Sequence, residues 1–184
     1  MKKSKQILLG IFFLSFFQTT LWAQEIYRSI EGTISITMGY NDTVLIAGSH
    51  HLMVTLNYET GDISFKVPYE SFRTFIDSVD TNILKLKNQW MEFKGKLGIP
   101  YINTKKHPPQ KFNVEGTMLT AVPPTNVIGK GSLYHISSGS DIACELTLKM
   151  QFSLSALNIQ QAFYNANDLI QIDIQQAVLK RVNE

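Results

Sequence analysis

Apolar and polar residues alternate with a period of two over most of the chain beyond its first segment. The longest alternation runs from Ile142 to Leu154, with seven apolar side chains on one face. A shorter one runs from Leu52 to Tyr58 and continues, after the Thr60-Gly61 turn, from Ile63 to Val67. Because successive side chains of a strand point to opposite faces, the first pattern predicts a long antiparallel strand and the second predicts a hairpin.

Three further segments have the same period. Residues 34–36 and 44–47 predict two strands that precede the hairpin. Near the C-terminus, residues 170–174 alternate, but the phase is lost at Gln175-Gln176. We therefore predict a β-bulge at the two glutamines, after which the apolar face resumes.

One segment has helical spacing instead. Between residues 82 and 93 the apolar side chains recur at steps of three and four, and they are Ile83, Leu86, Trp90 and Phe93. Asp80 or Thr81 can cap the start of a helix, and Gly95 can end it. The pattern predicts a short helix over Asn82–Phe93.

Together these elements predict a mainly β fold, with about eight antiparallel strands and one short helical insertion. Such a chain forms a sandwich or a closed antiparallel barrel. A barrel of about eight strands either fills its interior with side chains or holds one small ligand. The same alternation is expected for a filled interior and for one that holds a ligand. Taken alone, it favours a filled core.

The first residues have the pattern of an export signal. Three lysines lie within the first five residues, an apolar run follows from Ile7 to Phe17, and Ala23 precedes two polar residues. The run is too short to span a bilayer, which needs about 20 residues. We therefore predict a signal peptide over residues 1–24 and a single domain over 25–184. The protein is expected to be exported, and the style of the leader favours the periplasm over full secretion.

Charge and cysteine content narrow the function. Loss of the leader leaves 14 basic and 15 acidic side chains, so the mature chain does not have the basic surplus of a nucleic-acid-binding protein. Cys144 is the only cysteine, which excludes an internal disulfide. Because Cys144 lies on the apolar face of its strand, we expect a buried, unreactive thiol.

The sequence has no motif that assembles an active site. The four histidines include the neighbours His50 and His51, whose side chains would point to opposite faces of a strand and would not chelate one ion together. There is no GxSxG turn and no glycine-rich phosphate loop followed by a helix. We therefore expect no metal, no cofactor and no catalytic residues.

The segment Tyr101–Gly116 combines lysines and a histidine with two prolines before it becomes an alternating strand. Proline cannot donate to a β-ladder, and lysines discourage edge pairing, so the first half is interpreted as the approach to a strand. Phe112 and Val114 are then expected to face inward, with the lysines on the rim. Whether those lysines attract an anionic headgroup stays open.

Three stretches carry a family resemblance: Tyr27–Ile36, Leu45–Leu52 and, most densely, Leu56–Phe72. The last contains a Thr-Gly turn, a Phe-x-Val strand and a Ser-Phe pair, here Thr60-Gly61, Phe65-Lys66-Val67 and Ser71-Phe72. In this order the features resemble the YceI-like family, exported β-barrel proteins associated with the binding of polyisoprenoids and other lipids. The sequence departs from the family after His135, where many members have a His-Gly-Val-Thr-Lys-like turn.

The resemblance implies a lipocalin-like barrel whose apolar cavity sequesters an isoprenoid or other amphiphilic lipid, without catalysis. The residues expected to line it, called wall residues below, are Phe65, Val67, Phe112, Val114, Leu146, Leu148, Met150, Phe152, Ile170 and Ile172. Trp90 and Met91 are expected to close one end from the predicted helix. Lipid is the expected partner, nucleic acid is not, and transient contact with the envelope membrane is left open.

Two other functions remain open at this point. One is a structural or partner-binding module of the envelope with a filled core, and the other is an exported hydrolase. The sequence leaves undecided which lipid is bound, whether it is transported, stored or sensed, and whether the protein forms oligomers.

Overall fold

The computed structural model describes residues 26–99, 102, 108–136 and 143–182. The leader predicted over residues 1–24 and the basic residues Lys105, Lys106 and His107 lie outside these ranges. The described residues form nine strands, β1 (Ile26–Tyr40), β2 (Thr43–Ser49), β3 (Met53–Asn57), β4 (Asp62–Pro68), β5 (Trp90–Leu97), β6 (Gln110–Met118), β7 (Thr125–Ile136), β8 (Ala143–Ser153) and β9 (Ala166–Arg181). Within the same ranges there is one α-helix, α1, which spans Asp77–Ile83.

Strand β1 closes the sheet into a barrel. It pairs with β9 from Tyr27 to Tyr40 on one side and with β2 and β3 on the other. All neighbouring pairs from β3 to β9 are antiparallel. The prediction of a closed antiparallel barrel of eight strands with one short helix is confirmed, β2 being the ninth strand.

Strands β2 and β3 act as one interrupted partner of β1. Tyr40 pairs with Thr43 and Ile26 with Asn57, so both strands keep a single register along β1. The interruption falls at residues 50–52. Next to the interruption, the Ser29 hydroxyl takes the place of a backbone partner and accepts a hydrogen bond from the backbone N–H of Val54 at 2.8 Å.

The helix predicted over Asn82–Phe93 is wrong in position and length. The observed α1 begins at Asp77 and ends at Ile83, and Asp80 lies within it rather than before it. The residues from Trp90 onward form β5, which includes the predicted terminator Gly95. This segment forms a strand rather than a helix because residues 91, 93 and 97 also alternate and bury their side chains against β4 and β6.

The bulge predicted at Gln175-Gln176 is confirmed. On β8, Leu146 pairs with Ala177 and Leu148 with Ile174, so β9 has one extra residue between them. Ala177 and Leu179 are fully buried after the bulge, which restores the apolar face.

The two ends of the barrel differ. At one end, called the covered end, lie α1, the 3₁₀ turns at residues 69–71, 155–157 and 160–162, and the β6–β7 connection. The backbone N–H of Val122 in that connection donates to the carbonyl of Ala156 at 3.0 Å. The opposite end carries the hairpin between β3 and β4. Within the ranges described, no helix is long and apolar enough to cross a membrane.

Candidate functional site: the barrel interior

The wall residues lie inside the barrel on four strands. They are buried on β4 (Phe65 and Val67), β6 (Phe112 and Val114), β8 (Leu146, Leu148, Met150 and Phe152) and β9 (Ile170 and Ile172). The structure therefore brings together side chains that are more than a hundred residues apart in sequence. Met91 also faces inward, but from strand β5 and not from a helix.

Trp90 does not line the interior as expected. It lies on the outer face of β5, where the Lys66 ammonium stands 4.9 Å from the ring centroid. Lys66 also lies 3.9 Å from the Glu92 carboxylate on the same outer face. The helical interpretation placed Trp90 with Met91, but neighbouring residues of a strand point to opposite faces.

Aromatic rings fill the interior beside glycines. Gly95 and Gly116 are paired across β5 and β6, and a Cβ built on either would lie within 2.6 Å of Cζ of Phe93. A Cβ on Gly131 of β7 would lie 2.6 Å from Cζ of Phe112. The rings of Phe93 and Phe112 thus lie against stretches of barrel wall that carry no side chain.

Packing between side chains completes this interior. The rings of Phe65 and Phe93 stack with centroids 5.2 Å apart. Every wall residue is 6% exposed or less, and four grooves found among the ranges described are lined by none of them. In the conformation observed, side chains occupy the centre, and a ligand there would have to displace some of them.

Four methionines make that displacement feasible. Met38, Met91, Met118 and Met150 are all buried inside the barrel, on four different strands. Methionine has an unbranched, polarizable side chain that repacks around irregular shapes, and it is common at surfaces that bind varied apolar partners. The interior is therefore apolar and adaptable rather than rigidly complementary to one shape.

A small polar cluster lies inside the barrel at the end opposite the covered end. The rings of Tyr27 and Tyr58 stack with centroids 3.8 Å apart. The Tyr58 hydroxyl interacts with the Cys144 thiol, whose sulfur lies 3.7 Å from Nδ1 of His135. We call these four residues the polar cluster; they concentrate hydrogen-bonding groups at one end of an otherwise apolar interior.

Cys144 is buried, as expected. Burial raises the pKa of the Cys144 thiol above its ordinary value, although the Tyr58 hydroxyl opposes the shift. The thiol therefore stays protonated at neutral pH and is a poor nucleophile. Its role in the polar cluster is that of a weak hydrogen-bonding partner.

Sequence reasoning did not find the polar cluster or the glycine positions. Tyr27 and Tyr58 have the alternation of ordinary core residues, and His135 and Cys144 become neighbours only through pairing of β7 with β8. Glycines such as Gly95 and Gly116 have no side chain, so they do not contribute to the alternation of apolar and polar residues. Among the residues described, no three His, Cys, Asp or Glu side chains are grouped to hold a metal ion.

No protein-family model matches the sequence, and no curated protein has a matching sequence. Among solved structures, the chain is similar to a polyisoprenoid binding domain from Saccharophagus degradans implicated in plant cell wall breakdown. The TM-score is 0.61 with 8% identity, over 85% of this chain and 98% of that chain. It is also similar to BcnA of Burkholderia cenocepacia, with a TM-score of 0.54 and 10% identity, over 80% of this chain and 95% of that chain.

At these identities the likeness concerns the fold. The likeness extends over nearly the whole of each solved chain. The resemblance to the YceI-like family noted in the sequence is thereby confirmed at the level of the fold.

Proposed function

We propose that this protein is an exported, non-enzymatic lipid-binding protein that sequesters an isoprenoid or other amphiphilic lipid inside its barrel. The observation that carries the proposal is the continuous apolar interior formed by the wall residues and lined by four methionines. A solved domain of the same fold is described as polyisoprenoid binding, which supports the same use here.

Apolar burial supplies the driving force for such binding. Each CH₂ group removed from water contributes about 0.8 kcal/mol, so a long prenyl tail needs no directional contact to bind tightly. The cost is the displacement of side chains from the centre, and it is lowest for methionines, whose rotamers change with little strain. Selectivity for the tail is therefore expected to be loose.

The polar cluster supports an orientation for the ligand. The hydroxyls of Tyr27 and Tyr58 and the ring of His135 are the hydrogen-bonding groups at one end of the interior. A neutral headgroup such as a hydroxyl or a quinone carbonyl placed beside them would gain hydrogen bonds that an alkane cannot. The tail would then point towards the covered end, among the methionines.

Export and location belong to the proposal as well. The leader pattern of residues 1–24 supports export, with the periplasm favoured over full secretion. An aqueous compartment next to a membrane is where a carrier for a water-insoluble chain is useful.

Plugging the interior tests the proposal. Met150→Trp adds bulk at an inward position beside Gly129, so we expect lower uptake of a long-chain prenyl alcohol with the circular dichroism spectrum unchanged. Ile128→Trp is the matched control, because Ile128 is 67% exposed on the outer face of β7. Uptake is measured by extraction and chromatography after gel filtration of the mixture.

If both tryptophan variants take up as much prenyl alcohol as the unmodified chain, the lipid does not enter the barrel at Met150. The second function, an envelope module with a filled core, is favoured by the close packing of Phe65 on Phe93. In that case no uptake is observed with any of the three chains.

A further inference from the structure

Strand β2 has an open edge. One side of β2 pairs with β1 along its whole length. On its other side, within the described residues, the sheet continues only at Gly48, whose backbone N–H and C=O exchange hydrogen bonds of 2.9 Å with Arg73. Beyond this bridge, none of the strands in the described part of the chain neighbours β2 on that side.

The backbone groups on this edge belong to Val44 and Ile46. Backbone N–H and C=O groups alternate between the two sides of a strand, so those of Val44 and Ile46 point the same way as those of Gly48. The two side chains are 69% and 54% exposed on the outer face. Natural sheets protect such edges with lysine, proline or a covering element, and β2 has neither residue along residues 43–49.

The chain turns away from β2 at Phe75. Phe75 has φ +62°, a left-handed conformation that is costly for a bulky residue. The Asp80 carboxylate holds it there, accepting from the backbone N–H groups of Thr74 at 2.8 Å and Phe75 at 3.2 Å. As a result the Phe75 ring is 93% exposed, and the chain enters α1 instead of extending the pairing begun at Arg73.

A groove of about 710 Å³ is left between β2 and residues 71–76, and we call it the edge groove. Its apolar lining includes Val44, Ile46 and Phe75. Its polar lining includes Arg73, His50 and His51, and none of the described residues that line it is acidic. Asp42, Glu70 and Asp77 flank the lining segments in the sequence without lining the groove, and the carboxylate of Asp80 is taken up by hydrogen bonds to residues 74 and 75.

We propose that the edge groove binds an extended peptide segment of a partner protein, which adds to β2 as a further strand. Apolar side chains at alternate positions of the peptide would pack beside Val44, Ile46 and Phe75. An acidic group would lie at the end next to Arg73, whose Nη1 donates at 2.7 Å to the carbonyls of residues 70 and 72 and forms no ion pair within the described ranges.

Backbone chemistry favours a peptide over other occupants. Strand addition gives the N–H and C=O groups of Val44 and Ile46 partners, whereas an acyl chain in the groove would exclude water from them and leave them unpaired.

Fluorescence anisotropy with labelled peptides tests the inference. The parent probe is acetyl-Glu-Val-Thr-Val-Thr-Val-amide, and its panel varies the three valines through Ile, Leu and Phe. We expect saturable binding by members of the panel, with dissociation constants below about 1 mM. N-methylation of alternate amides, which removes donors but keeps the side chains, is expected to weaken binding at least about tenfold.

Protein variants locate the site. Ile46→Lys places a charge on the open edge and is expected to weaken binding about tenfold. Ile128→Lys, at a comparably exposed position on β7, is the control and is expected to leave binding unchanged. The readout involves no lipid, so its outcome is independent of the function proposed above.

Three results would each overturn the inference: no saturable binding by any peptide of the panel, equal binding of N-methylated peptides, or equal loss of binding in the two lysine variants. Equal binding of N-methylated peptides would indicate an apolar groove that does not use strand addition.

Discussion

Tyr69 lies at the covered end with its phenol buried. Burial raises the pKa of Tyr69 to about 12, and the hydroxyl of Thr120 opposes the shift in part. The folded chain therefore keeps this phenol protonated at a pH where the unfolded chain, with an ordinary pKa near 10, has lost the proton.

The sign of the pH dependence follows from this difference. As the pH rises from 10 towards 12, the unfolded state loses the Tyr69 proton and is stabilised relative to the folded state. We expect the unmodified chain to lose about 1.4 kcal/mol of unfolding free energy relative to Tyr69→Phe by pH 11. Urea unfolding of both chains between pH 8 and 11 measures it. Parallel pH profiles would show that Tyr69 titrates normally.

The backbone conformation of Phe75 lowers the stability of the fold. Because its φ of +62° favours glycine and its ring is 93% exposed, little packing is lost on substitution. We expect Phe75→Gly to raise the free energy of unfolding by about 0.5 to 1 kcal/mol. Phe75→Ala, which keeps the strain, should not. Thermal unfolding distinguishes the two, and a destabilised glycine variant would mean that the ring packs against the domain.

Among the elements, β5 and β6 pair through two glycines, Gly95 and Gly116. A Cβ on Gly116 would lie 2.3 Å from the carbonyl oxygen of Lys94 and 2.5 Å from Cα of Gly95, both backbone atoms that cannot rotate away. We therefore expect Gly116→Ala to destabilise the fold by about 1 to 3 kcal/mol.

Gly48→Ala on β2 is the control, because no atom lies within 4 Å of the Cβ it would add. Its unfolding midpoint in urea is expected to stay unchanged or to rise slightly. Similar losses in the two alanine variants would show that the cost lies in strand glycines generally and not in the β5–β6 contact.

The elements also show what a single sequence can predict. Alternation located the hairpin of β3 and β4, the long strand β8 and the bulge of β9, because a face that is buried must be apolar at every second residue. It failed over residues 82–93, where the apolar side chains had two periods at once. Tertiary pairing of β5 with β4 and β6 decided between them, and that information is not local.

At the scale of the whole molecule, the apolar part of the interior could be predicted from the sequence and its polar end could not. The wall residues could be predicted as inward-facing because each belongs to a segment in which apolar side chains recur at every second residue. The polar cluster could not be, because Tyr27, Tyr58, His135 and Cys144 meet only when β1 closes the barrel. Barrel closure likewise creates the open edge of β2, since β1 is shared between β2 and β3 along a single register.

One feature of the interior opposes ligand binding and another favours it. Its rings pack closely, as the 5.2 Å stacking of Phe65 on Phe93 shows, whereas its methionines supply adaptable volume. To bind a flexible chain, the methionine side chains must move aside when the ligand is present. The account therefore predicts an empty barrel that is packed and a loaded barrel in which methionine rotamers have changed.

Native mass spectrometry of the protein purified from its own cell envelope, followed by extraction of the bound material, tests the central claim most directly. The account predicts a species heavier than the chain by one lipid, and a prenyl or similar amphiphilic chain in the extract. A homogeneous unliganded mass, with no mass shift after incubation with long-chain prenyl lipids, would contradict it.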